Sequence, residues 1–243
     1  MKNVMQISGL AVHRGDRTLF SGLNCTFHSS EVVVVLGPNG AGKSSLLLAL
    51  AGLIPFSGLI TLQGRSLCGF SRAECARRIA WQGDLPPTEF GLTVMQRLEL
   101  AGEHSDADIT SAVDVMDISR LLMKTLGELS SGERQRVELV ALMLRDTPVW
   151  VLDEPTTHLD LKHQVQCLNM LRSQAEQGRA IITVLHDLQQ AATIADRVVI
   201  INGCGGAEYG EVNEMLDITK LSGLFEIPLL RQGKAILPDY GEE

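Results

Sequence analysis

Residues Gly37-Pro38-Asn39-Gly40-Ala41-Gly42-Lys43-Ser44-Ser45 form a glycine-rich run ending in Lys-Ser, directly after the apolar stretch Val32–Leu36. From Gly37 to Ser44 the run fits GxxxxGK[ST], in the order strand, loop, helix that a phosphate-cradling loop requires. Gly40 and Gly42 let the backbone turn its N–H groups toward a polyphosphate, which a Cβ would hold off. The helix opening near Lys43 points its positive end at the same anion. Lys43 is expected to meet the β- and γ-phosphates, and the Ser44 hydroxyl to ligate Mg²⁺. Farther along, the apolar Val149–Leu152 ends in Asp153-Glu154. Asp153, at the C-terminal end of a strand, is placed to hold Mg²⁺ opposite Ser44, directly or through water. Glu154 is then free to polarise an attacking water as a general base. Leu129-Ser130-Ser131-Gly132-Glu133-Arg134-Gln135 offers a second anion site, with hydroxyls and free N–H groups at a helix start. By itself this stretch also fits an ordinary helix N-cap.

These residues need a rigid frame, and the chain supplies one. Val32–Leu36, Val149–Leu152, Ala180–Leu185 and Val198–Ile201 are apolar runs without alternation, as expected of strands covered on both faces in a parallel sheet. Met5–Val12, Asn24–His28 and Leu59–Leu62 are strand-like segments between turn residues and predict an antiparallel layer beside that core. Leu161, Val165, Leu168 and Leu171 share helical spacing, and Gly178 stops that helix. Between Gln82 and Leu129 the character changes. Pro86-Pro87 interrupt the chain, Thr93 is an N-cap candidate for Val94–Leu100, and Ile109, Ala112, Val113 and Met116 fit one helical face. The expected fold is therefore α/β, a phosphate-loop NTPase core with a parallel sheet, an antiparallel β layer and an inserted helical lobe. One domain over 1–243 is expected, with core at 1–81 and 136–202, lobe at 82–135 and a tail at 203–243.

A net charge of −8 argues against a nucleic-acid partner, which would call for a basic face. Cys25, Cys68, Cys75, Cys167 and Cys204 are scattered, odd in number and without a CxxC pair, so reduced thiols are expected rather than a disulfide scaffold or a zinc site. The start of the chain shows no signal-peptide pattern. Leu46–Ile54, the most apolar run, is read as the phosphate-loop helix and is far short of the ~20 residues of a membrane span.

Together the motifs resemble the ATP-binding cassette (ABC) ATPase family, over essentially the whole chain and in the family's order. The resemblance implies ATP and Mg²⁺ as cofactors and hydrolysis of ATP as the activity. Ser130-Ser131-Gly132-Glu133 stands where the family usually has Ser-Gly-Gly-Gln, so Ser131 adds a side chain close to the expected γ-phosphate. Gln82 looks like the loop glutamine that touches Mg²⁺ and links core to lobe. Asp160 looks like the D-loop aspartate, or else caps the following helix. His186 looks like the γ-phosphate-sensing histidine. The aromatic residue that usually stacks on adenine is missing near His13-Arg14-Gly15, where Arg14 or His13 could stack instead.

By the same resemblance the signature loop faces the phosphates of a second subunit, so a homodimer completes two sites. A separate transmembrane permease, and through it a substrate-binding protein, are the further partners implied, and the location implied is the cytoplasmic face of the inner membrane. Glu-Pro-Thr-Thr-His-Leu-Asp-Leu from Glu154, Leu-His-Asp-Leu from Leu185 and the tail from Leu224 are most similar to import ATPases for iron–siderophore complexes, cobalamin or haem. An ABC ATPase of another transporter class, or one outside transport, is the alternative.

Overall fold

The computed structural model describes residues 2–86, 91–102, 104–233 and 235–239, so Pro87 of the Pro-Pro pair lies outside the described residues. The chain opens with β1 (Asn3–Arg14) and β2 (Arg17–His28), then enters the fully buried β3 (Glu31–Leu36) and helix α1 (Lys43–Leu50). Strands β4 (Ser57–Leu62) and β5 (Arg65–Ser66), helix α2 (Arg72–Ala76) and strand β6 (Ile79–Gln82) follow. The lobe holds α3 (Val94–Glu99) and α4 (Asp106–Val115) and passes into α5 (Ser131–Met143). The core resumes with β7 (Val149–Asp153), α6 (Leu161–Glu176), β8 (Ala180–Val184), α7 (Leu188–Ile194) and β9 (Arg197–Ile201). The tail contributes β10 (Gly205–Glu211), α8 (Val212–Met215), α9 (Ile218–Phe225) and the hairpin β11 (Leu229–Gln232) with β12 (Ala235–Pro238).

The four apolar runs lie in one parallel block, in the order β9-β3-β8-β7, with β6 as a fifth strand that the sequence pattern does not reveal. Alternation explains why these strands are apolar throughout. Val32, Val34 and Leu36 face a core shared with α5, α6, α7 and the lobe, while Val33 and Val35 face α1 and the antiparallel strands. The antiparallel strands β5-β4-β1-β2 are not a detached layer. They continue the same ten-stranded sheet, because β10 pairs with β9 antiparallel and with β2 parallel at Gly205–Phe20 and Gly206–Ser21.

Local signals account for the lobe. Thr93 with Gln96, Ser105 with Asp108, and Ser130 with Glu133 each form a reciprocal capping box, satisfying free donors at the starts of α3, α4 and α5. Ile109, Ala112 and Val113 are buried on α4, as their spacing predicts, and Met116 is buried just after it. Arg136 on α5 is 5% exposed and donates to the carbonyls of Met116 (2.9 Å) and Asp117 (2.8 Å), tying the end of α4 to the core-bound helix. Two expectations need correction. Helix α1 stops at Leu50, because Ala51-Gly52 turn the chain before the apolar run ends. On α6, Leu161 and Val165 are exposed, and the buried face is Cys167, Leu168, Met170, Leu171 and Ala175. Helical spacing finds a face without saying where along it the core begins. The helix does end at Gly178, with φ 105°.

Candidate functional site

The loop Gly37–Gly42 leaves the buried β3 and turns into α1 at Lys43. Gly40 has φ 75° and open space where a Cβ would sit, so its requirement is conformational and it leaves room for an incoming group. Gly42 has φ 110°, and a Cβ there would come within 3.0 Å of Leu19 Cβ on β2. This close packing sets the tip of the β1–β2 hairpin beside the loop. His13 and Arg14 sit at that tip, both exposed, with His13 Nδ1 3.1 Å from Thr18 Oγ1. Lys43 is 6% exposed and folds its ammonium back onto its own loop, donating to the carbonyls of Gly37 (2.9 Å) and Pro38 (3.0 Å). Burial lowers its pKa, and the carboxylates of Glu154 and Asp153 act against that shift.

Strand β7 delivers Asp153 and Glu154 beside this loop. Ser44, Asp84, Gln135, Asp153, Glu154 and Thr157 line a cavity of about 180 Å³. Burial raises the pKa of Asp153, the Ser44 hydroxyl opposes it, and Glu154 and Asp84 add to it. The Asp153 Oδ1 and Gln82 Oε1 atoms are buried without a hydrogen-bond partner. Gln82 is 7% exposed at the end of β6, whose neighbour is β7. Two orphaned acceptor oxygens and a serine hydroxyl make an all-oxygen donor set of the kind a hard divalent cation takes together with phosphate oxygens. The residues fit Mg²⁺. Among the described residues no cluster of three or more His, Cys, Asp or Glu offers a rival metal site.

Glu154 is held on two sides. Its Oε1 lies 2.5 Å from His186 Nε2, and its Oε2 accepts from the Thr157 hydroxyl at 3.3 Å. It adopts φ 51°, a conformation uncommon for a residue with a Cβ, at the start of the turn 154–157. Gln135, one turn into α5, donates to the Pro155 carbonyl at 2.9 Å and so fastens the helix that follows the signature loop to this turn. His186 itself follows β8, and Asp187 beside it caps α7 through the N–H groups of Gln189 and Gln190.

The structure therefore brings Lys43, Ser44, Gln82, Asp153, Glu154 and His186 to one end of the parallel block. The signature residues lie apart from it within the chain. Ser130 and Ser131 are exposed and line no part of that cavity, Glu133 is engaged with Ser130 in the helix cap, and that bond lowers its pKa. A Cβ on Gly132 would stand 2.6 Å from the His158 carbonyl oxygen, so this glycine also permits close packing inside the chain. Asp160 caps α6, accepting from His163 N (2.9 Å) and lying 2.7 Å from His163 Nδ1. The pattern of motifs did not single out Gln135, Thr157 or Asp84. Gln135 carries one usable signal, its place a helical turn beyond the signature residues.

The model of the family described as ABC transporter matches residues 20–157. The chain belongs to the ABC transporter family. It is 36% identical over 94% of its length to the hemin import ATP-binding protein HmuV of Pseudomonas putida, covering 95% of that protein. It is 33% identical over 90% of its length to the achromobactin transport ATP-binding protein CbrD of Dickeya dadantii, covering 86% of it. In three dimensions it is similar to the ATP-binding subunit of an ABC transporter (TM-score 0.79, 24% identity, 91% of this chain and 94% of that one). A second likeness is to a chain of an inward-facing ABC transporter of metal-chelate type (TM-score 0.81, 21% identity, 98% of each chain). At these identities the likenesses establish the shared ABC ATPase fold, and the sequence relatives establish the family. The chain is an ABC ATPase, and no described helix is long and apolar enough to cross a membrane.

Proposed function

We propose that this chain hydrolyses ATP as one of two identical subunits beneath a separate permease, driving uptake of haem or an iron–siderophore complex. The observation that supports the chemistry is the convergence of Lys43, Ser44, Gln82, Asp153, Glu154 and His186 at one end of the parallel sheet, with acceptor oxygens left unpaired. The cargo rests on relatives named for hemin import and achromobactin transport, which favour those two chemistries over cobalamin.

Polyphosphate entering the loop replaces the Gly37 and Pro38 carbonyls as partner of the Lys43 ammonium, so the lysine exchanges neutral acceptors for charged ones. Ser44, Asp153 and Gln82 hold Mg²⁺, which supplies neutralisation of phosphate charge. Glu154 takes the proton from the attacking water, and His186, already against Glu154, fixes that carboxylate and faces the terminal phosphate. Gly37–Gly42 and Ser45 surround the phosphates, with Pro38 shaping the loop and the other residues offering backbone N–H groups at the helix end. Ser130, Ser131 and Gly132 cover them from a second copy of the chain, with Glu133 holding that helix start and Asp160 near the shared boundary. Arg14 or His13 stacks on the adenine from the hairpin tip. Two such sites close together when ATP is bound and part after hydrolysis, and differential affinity for the closed pair turns chemistry into motion. A groove of about 850 Å³ formed by Leu53, Phe56, Cys68, Phe70, Trp81 and Arg145 is the face offered to the permease at the cytoplasmic side of the inner membrane.

Two measurements test this reading. Glu154→Gln is expected to bind ATP and stay dimeric while turnover falls about 10²–10⁴-fold, the usual worth of a general base; turnover like the parent's removes Glu154 from its role. The tagged chain, purified from gently solubilised native membranes, is expected to carry a many-span permease. Reconstituted with that permease and its binding protein, it is expected to move haem or a ferric siderophore with ATP. Recovery of ribosomal or DNA-repair proteins and no permease would overturn the transport reading and leave the ATPase standing.

A further inference from the structure

The turn that carries Glu154 and the loop that carries Asp160 are tied together by side chains outside the phosphate-binding set. The Thr156 hydroxyl donates to Gln190 Oε1 on α7 at 2.9 Å. Gln190 Nε2 donates to Gln164 Oε1 on α6 at 3.1 Å, and Gln164 Nε2 donates to the Leu159 carbonyl at 3.2 Å. The three bonds run head to tail, each amide accepting on one side and donating on the other. They begin two residues after Glu154 and end one residue before Asp160. Thr156 is 8% exposed, so its hydroxyl has little water to turn to.

Position on α7 gives the arrangement its meaning. Gln190 sits in the first turn of that helix, its N–H capped by Asp187, directly after His186. The segment Glu154–Thr156 and the segment His186–Gln190 are therefore bridged twice, by Glu154 with His186 at 2.5 Å and by Thr156 with Gln190 at 2.9 Å. Where the two segments leave the paired strands β7 and β8, a single contact between half-exposed side chains still lets them rotate about it. A second bridge one turn along removes that freedom. Glu154 also stands at φ 51°, a conformation that persists when the surroundings impose it.

We propose that Gln190 is a positioning residue for hydrolysis: through Thr156 and Gln164 it locks the Glu154 turn, the His186 segment and the Leu159–Asp160 loop into one unit. It touches no phosphate, and neither Lys43 nor Ser44 belongs to the relay. The inference rests on the ATPase reading above and assigns residues that the phosphate-binding motifs do not include. Its kinetic signature follows from that division. Loss of the relay lowers kcat and leaves KM for ATP unchanged, because nucleotide is still held by the same groups while the general base and its histidine are less well aligned.

The test is a double-mutant cycle on the full chain with MgATP, read as kcat, KM and melting temperature. Thr156→Val removes the hydroxyl at nearly constant volume, and Gln190→Met removes both amide functions. Each is expected to lower kcat about fivefold, the worth of one net hydrogen bond in a barrier, with KM within error of the parent and the melting temperature lowered by only a few degrees, since each leaves a buried polar partner unpaired. The double variant is expected to be no slower than either single, since both cut one relay, and Thr156→Ser, which keeps the hydroxyl, recovers the parent rate. The proposal is overturned if either single variant keeps the parent kcat, if the double variant shows the product of the two losses, or if KM rises in step. Should Gln190→Met fail to fold, Gln164→Met cuts the same relay and is read by the same criteria. A parent protein without MgATP hydrolysis would sink the underlying ATPase reading, whereas an active parent with unaffected variants would sink the relay alone.

Discussion

Gly132→Ala sets two physical effects of opposite sign against each other. Gly132 is the second residue of α5 and has an ordinary helical backbone, so helix propensity alone gives the alanine an advantage of about 1 kcal/mol. Against this, the new methyl would lie 2.6 Å from the His158 carbonyl oxygen, well inside normal van der Waals separation. The atom it meets is backbone, and His158 is itself held at φ 68° between Thr157 and the buried Leu159. Neither side can swing away as a flexible side chain would. Relief requires α5 or the 154–160 loop to move by several tenths of an ångström, and overpacking of that kind costs about 1–3 kcal/mol. Because both sides are backbone the upper part of that range applies, so the net expectation is a loss of about 1–2 kcal/mol, or roughly 2–4 °C in melting temperature for a chain of this size. Thermal unfolding of nucleotide-free protein is the assay, with Ser131→Ala as a control, because Ser131 is exposed and meets nothing comparable. A melting temperature at or above the parent's would refute the reasoning and return Gly132 to a role wholly toward a second subunit.

Three further perturbations discriminate among parts of the structure. Arg97 and Glu138 join α3 to α5 through a two-pronged pair (Nε to Oε1 at 3.0 Å), with Glu138 only 9% exposed at its side chain. Arg97→Leu strands that carboxylate and should cost about 2–3 kcal/mol in denaturant unfolding, somewhat less than the ~3–5 kcal/mol of a fully buried pair since Arg97 is a quarter exposed; adding Glu138→Leu should restore most of it, and equal losses in single and double variants would deny the pair. Thiol labelling of the folded chain should modify Cys68 and Cys204 quickly and Cys75 more slowly. Cys25 and Cys167 should react only on unfolding, since both are buried and burial pushes the Cys167 thiol up to about 12 and that of Cys25 higher still. Asp153→Asn should raise the melting temperature of nucleotide-free protein at neutral pH, because burial raises the carboxyl's pKa in the fold and the ionised form is therefore a cost there. That cost appears as pH rises from the ordinary carboxylate value through the raised one, so variant and parent should converge toward pH ~4. A variant that melts below its parent at pH 7.5 would contradict the assignment.

The parallel core was legible because its strands are covered on both faces, which leaves Val32–Leu36 and Val198–Ile201 apolar without interruption. The phosphate loop was legible because Gly40, Gly42, Lys43 and Ser44 answer to a local backbone requirement that spacing alone records. What escaped has a common cause. Strand β6 is four residues long and ends in Gln82, too short for a periodicity to declare itself. The exposure of Leu161 and Val165 depends on where α6 leaves the core, which is a property of its neighbours. Gln135, Gln164 and Gln190 are amides on helices, unremarkable in the chain, and acquire a role only when α5, α6 and α7 are brought round one turn.

That turn is also where the single chain explains why the signature loop need not face its own phosphate loop to influence it. Gly132 packs against His158, Gln135 against Pro155, and Leu159 is tied through Gln164 and Gln190 to Thr156. A displacement of the first turn of α5, such as capture of a phosphate by Ser130 would impose, meets backbone at His158 and Pro155 before it meets anything soft. The neighbouring residue at that backbone is Glu154, already in a constrained conformation and pressed against His186. The direct approach of Gly132 to the His158 backbone, with the Gln135 amide bonded to the Pro155 carbonyl beside it, is a close-packed route by which such a shift would reach the turn. In the proposed pair of subunits the base at one site would be adjusted by the occupancy of the other through the chain they share, and Gln135→Ala, which removes the bond to the Pro155 carbonyl, should lower kcat in an ATPase assay while the affinity for ATP in an equilibrium binding assay is preserved.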